Sequence, residues 1–93
     1  MLDDFTVETF EGRKGERFRI EFAPGEPIEA ELAEAARLSA AAVGRRDPFS
    51  LVFRTSPDEQ HEQRIYRLEH DELGRFELFL VPIAPGQYEA VFA

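Results

Sequence analysis

IEAELAEAARLSAAAV, residues 28–43, is the stretch on which the fold turns. With a period of two, Ile28, Ala30 and Leu32 alternate with Glu29, Glu31 and Ala33, which reads as a half-buried strand. The same residues are strong helix formers, with Pro27 placed to be a first helical residue and Gly44 to be a C-terminal stop. The residues alone leave both conformations open.

The flanking sequence narrows the choice. RFRIEF (17–22) alternates cleanly, with Phe18, Ile20 and Phe22 on one side and Arg17, Arg19 and Glu21 on the other. Ala23-Pro24-Gly25-Glu26-Pro27 then turns the chain. If residue 28 opens a strand, it closes a hairpin with 17–22. The register expected sets Phe18 against Leu32, Ile20 against Ala30, Phe22 against Ile28, and Arg19 against Glu31 on the wet face.

Beyond the loop Arg45-Arg46-Asp47-Pro48 the pattern is plainer. FSLVFR (49–54) and RIYRLEH (64–70) read as strands, separated by the polar loop 56–63. RFELFLVPI (75–83) is apolar on both faces: Phe76, Leu78 and Leu80 on one, Phe79, Val81 and Ile83 on the other. Such a strand is central or has its second face covered. Pro82 limits its pairing, because proline has no N–H to donate. Ala84-Pro85-Gly86 turns the chain into a last strand, QYEAVF (87–92).

At the N-terminus, residues 3–12 read as a short helix. Thr6 is the N-cap, and Phe5 and Phe10 have the spacing of a hydrophobic staple. An edge strand through Phe5 and Val7 is the alternative. No βαβ rhythm is present, so the sheet is antiparallel. The expected fold is mainly β: a single domain over residues 1–93, a small antiparallel barrel or two-layer sandwich of five or six strands with a short N-terminal helix.

Composition limits the function. Nineteen acids face 11 bases, for a net charge of −8. Nucleic acid is bound by Lys and Arg that displace counterions, so neither nucleic acid nor an anionic membrane is an expected partner. There is no Cys, which removes disulfides, thiol nucleophiles and thiolate metal sites. Met1-Leu2-Asp3-Asp4-Phe5 lacks the basic and apolar regions of a signal peptide, and no apolar run suits a membrane span. A cytoplasmic location is expected.

Site chemistry is sparse. His61 lies in the polar loop and His70 at a strand end. Glu69-His70-Asp71-Glu72 offers only a loose set of ligands for a hard cation. There is no GxSxG frame or glycine-rich phosphate loop, and nothing fixes a catalytic carboxylate pair. No catalytic residue, metal ligand or cofactor is therefore assigned. Phe18, Phe22, Phe49, Phe53, Phe76, Tyr88 and Phe92 fall on inward faces and read as core. Phe79, Val81 and Ile83 remain as a candidate partner-docking face.

FSLVFR (49–54), YRLEH (66–70), LG (73–74), FELFLVPI (76–83) and YEAVF (88–92), together with FEGRKGERFRIEF (10–22), resemble an uncharacterised bacterial family of small domains. The resemblance spans most of the chain. Genes of that family often lie near genes resembling phage tail-collar and short tail-fibre proteins, which implies an accessory role in a tail-like assembly. The family's counterpart of 28–38 is a β-branched strand, which favours a strand at 28–37 here. The family has no functional residues to carry over. Combined with the strand reading, it makes YRLEH-x-x-LG a tight corner, with Glu69 and His70 as structural turn residues.

The expected function is a non-enzymatic module that docks to a protein partner or to itself. The alternatives are a small-ligand barrel with a cavity lined by Phe18, Phe53 and Phe76, and a weak metal-dependent hydrolase built on His70 and nearby acids.

Overall fold

A computed structural model describes residues 5–38 and 48–92. A short helix, α1 (Val7–Glu11), precedes six strands: β1 (Arg17–Ala23), β2 (Glu26–Arg37), β3 (Phe49–Arg54), β4 (Arg64–His70), β5 (Gly74–Ala84) and β6 (Gln87–Phe92). All neighbours are antiparallel, and the strands close into a barrel in the order β1-β2-β3-β6-β5-β4. Among the described residues, closure gives every strand a neighbour on both sides.

The contested segment is a strand through Arg37; residues 39–43 of it lie outside the described residues. Tertiary pairing overrides its helix propensity, because β2 bonds to β1 on one side and β3 on the other while Ala30 and Leu32 enter the core. A bulge between Leu32 and Glu34 lets β2 follow the barrel's curve.

The β1–β2 register differs from the expected one by two residues. Phe18 faces Ala30, Ile20 faces Ile28, and Arg19 faces Glu29. The cause is the turn. Ala23 pairs with Glu26 across Pro24 and Gly25, whose φ of 77° suits glycine, and a bulge between Glu21 and Ala23 absorbs an extra residue. Arg19 consequently meets Glu69 of β4, not Glu31.

Inward positions bury Phe18, Ile20, Leu32, Leu51, Phe53, Leu68, Leu80 and Tyr88 almost completely. The Phe18 and Phe53 rings meet edge to face at 5.2 Å, and Phe18 and Phe76 at 6.5 Å. Side chains therefore fill this narrow barrel.

Both barrel ends are capped. At one, Phe10 of α1 lies 6.0 Å from the Phe49 and Phe92 rings, while Phe5 bridges Phe10 and Phe76. The staple inferred from sequence is formed, and the Thr9 hydroxyl accepts the Thr6 N–H. At the other end, the 55–63 loop folds over the core. His61 stacks on Phe22 at 4.0 Å, the Tyr88 hydroxyl donates to the Glu59 carbonyl, and the Tyr66 hydroxyl donates to the Glu62 carbonyl.

The barrel has two short seams. Only Arg19, Ile20 and Glu21 of β1 pair with β4, and β5 pairs with β6 only through Val81, Pro82 and Ala84. Between the seams, β4 and β5 pair from Arg64–Leu80 to His70–Gly74. The molecule is thus a β4–β5 hairpin closed onto a β1-β2-β3-β6 sheet, and of the two architectures expected it is the barrel.

Candidate functional site

The first candidate is the corner at the end of β4. His70 is buried, 4.5 Å from the Phe18 ring. Its Nδ1 accepts the backbone N–H groups of Glu72 and Leu73 at 3.1 and 3.2 Å. That fixes the proton on Nε2, which donates to the Glu16 carboxylate at 2.8 Å. Arg13 bonds both Glu16 and Glu72.

Glu16, His70 and Glu72 bring potential ligand atoms within 4.8 Å of one another. The hydrogen bonds nevertheless leave His70 no lone pair to offer a cation, and Arg13 already bonds both carboxylates. The corner's chemistry is that of a turn lock. Glu69 points outward, bonded to Arg19 at 3.2 Å and Arg75 at 3.3 Å, and these guanidiniums hold its carboxyl below the usual range, Arg75 contributing most. Sequence reasoning placed Glu69 and His70 at this bend but missed Glu16, 54 residues from His70, because no local pattern links them.

The second candidate is the capping loop. His61 Nε2 lies 2.8 Å from Glu59 beside a cleft lined also by Pro82, Ile83, Pro85 and Tyr88. The Tyr88 hydroxyl, committed to Glu59 O and to His61 N–H, is pushed up in pKa mainly by burial. These groups fasten the loop to the barrel.

The third is the outer face of β4 and β5. Phe79 is 51 % exposed, Ile83 49 % exposed, and Val81 between them is half-buried. Ile83 sits in the bulge between Pro82 and Ala84, on the same alternate side as Phe79 and Val81. Directly across the ladder from Phe79 stands Ile65, 60 % exposed, and Val91 is equally exposed on β6. The sequence reading found Phe79, Val81 and Ile83 but not Ile65 or Val91. The signal for Ile65 was its alternation with Arg67 and Glu69, which fixes its outward side.

Around this apolar row the outer surface carries matched charges. Arg67 pairs across the ladder with Glu77, and Glu69 with Arg75. Every described arginine except Arg64 and Arg67 has an ion-pair partner, and these two border Ile65.

Among the described residues, no helix is long and apolar enough to cross a membrane. Comparison with curated proteins and with solved structures returns no match. A family model described as Domain of unknown function (DUF6916) matches residues 5–92, nearly the whole chain, and the chain belongs to that family.

Proposed function

We propose that this domain is a non-enzymatic protein-docking module, an accessory part of a phage-tail-like assembly. The observation that carries the docking reading is the exposed apolar row Ile65–Phe79, extended by Val81 and Ile83, on an otherwise charged barrel. Large aromatic and β-branched side chains held on a rigid sheet lose little entropy when covered, which suits them as anchors. The tail-like setting rests on the family resemblance of the sequence motifs. The hydrogen-bonding of His70 speaks against a hydrolase built on it. The packed Phe18, Phe53 and Phe76 rings speak against an internal ligand.

The test is a photoreactive residue placed at position 79 and, separately, at position 17 on the ion-paired flank, activated in cells of the native host. Adducts at 79 with a tail structural protein or with this chain, and none at 17, are expected. Equal adducts at both positions, or none at 79, would overturn the reading.

A further inference from the structure

We propose that the partner covering this face is a second copy of the chain, packed hairpin against hairpin about a two-fold axis running along β4 and β5. The inference rests on the docking reading above and names its occupant.

The ladder rows carry the argument. On the outer side, Ile65 stands beside Phe79, Arg67 beside Glu77, and Glu69 beside Arg75. A two-fold axis lying in the contact plane between the strands puts β4 of one copy over β5 of the other. Each row then meets itself reversed. Ile65 covers Phe79 of the second copy, Arg67 meets its Glu77, and Glu69 meets its Arg75. A two-fold interface must be self-complementary, and rows that are apolar–apolar or acid–base across the ladder satisfy that at every level.

The charges agree. Arg67, on this outer side, is a described arginine without an ion pair, so its guanidinium remains available to a partner. The chain carries −8 overall, and most of its surface would repel a copy of itself. This hairpin face is the exception, with Arg67 and Arg75 set against Glu69 and Glu77.

Size sets the strength. The paired part of the hairpin runs from Arg64 to His70, about 23 Å at the rise of a strand. Two strands of that length offer a few hundred square ångströms, short of the ~800 Å² per partner of a standard interface. The association is weak and concentration-dependent, as suits copies held close together in an assembly.

Sedimentation equilibrium of the full chain from low micromolar to near millimolar concentration tests this. The wild type is expected to dimerise as concentration rises, and Phe79→Ser to remain monomeric. Arg67→Glu and Glu77→Arg should each weaken self-association by about tenfold. An equimolar mixture of those two variants should associate more tightly than either alone, because acid then faces base at both positions across the axis. A wild-type monomer at every concentration, a dimer unmoved by all three substitutions, or a mixture no tighter than its components would each overturn the proposal. A monomer whose position 79 still forms adducts with another protein leaves the docking reading standing. A monomer without adducts ends both.

Discussion

The His70 Nε2–H donates to Glu16 at 2.8 Å while the same ring, through Nδ1, accepts two backbone N–H groups of the β4–β5 corner. One side chain thus ties the segment before β1 to the turn after β4. Removing the ring strands two N–H groups and opens a gap beside Phe18. His70→Ala is expected to cost about 2–4 kcal/mol in urea unfolding. His70→Asn should recover part of that, because its amide oxygen can take the place of Nδ1. Divalent cations should leave the thermal midpoint unchanged; a metal-dependent rise would mean that the ring can be released for coordination.

Gly86 is irreplaceable for two separate reasons. Its φ is +71°, and a Cβ there would lie 2.7 Å from the Ser56 carbonyl oxygen and 2.8 Å from that of Thr55. Gly25 has φ +77° but open space around it. Gly25→Ala should cost about 1 kcal/mol for the backbone alone, and Gly86→Ala clearly more, since the Thr55 N–H bond to the Gly86 carbonyl must also shift. Equal losses in chemical denaturation would show that the loop yields freely.

The two halves of the helix staple should separate in cost. Phe10 is fully buried among Phe18, Phe49 and Phe92. Phe10→Ala is expected to lose about 3–5 kcal/mol, the range for a large aromatic removed from a core. Phe5 is only half-buried, so Phe5→Ala should lose distinctly less. A small loss at Phe10 would mean that α1 can leave the barrel end without disturbing it.

Acid and alkali should act through different residues. The Glu69 carboxyl is held low by Arg75 and Arg19. Its contribution is present above the ordinary glutamate value and fades as pH falls through the depressed one. Glu69→Gln should flatten the acid limb of a stability–pH curve. Tyr88 is shifted upward by burial. Its contribution is present below the ordinary tyrosine value of about 10 and is lost as pH rises towards the raised one. Tyr88→Phe should be less stable near neutrality but flatter in alkali.

Most of the barrel was legible because alternation is a local signal. Phe18, Ile20 and Phe22, or Phe49, Leu51 and Phe53, reveal a buried face without reference to anything else. Residues 28–37 were not legible from their own pattern, and only the family resemblance pointed to the strand that they form, since Ala and Glu favour helix while the decisive β1 and β3 partners are supplied by the fold. The register failed for a related reason: a two-residue turn at Pro24-Gly25 and a bulge near Phe22 each move the pairing by one residue, and the bulge leaves no mark on the pattern. The docking face was half visible. Phe79, Val81 and Ile83 share one strand, whereas Ile65 joins them only through a ladder between distant parts of the chain.

The contact of Phe10 with Phe92 has a consequence for biosynthesis. An element that precedes all six strands packs against a residue of β6, so the barrel end stays uncovered until β6 has been made. Until then the phenylalanine-rich strands are open to any chain nearby, and closure joins segments remote in sequence, which is slow. A cell making this domain in quantity therefore does best with helpers that shield nascent chains, or with translation that does not crowd unfinished copies together.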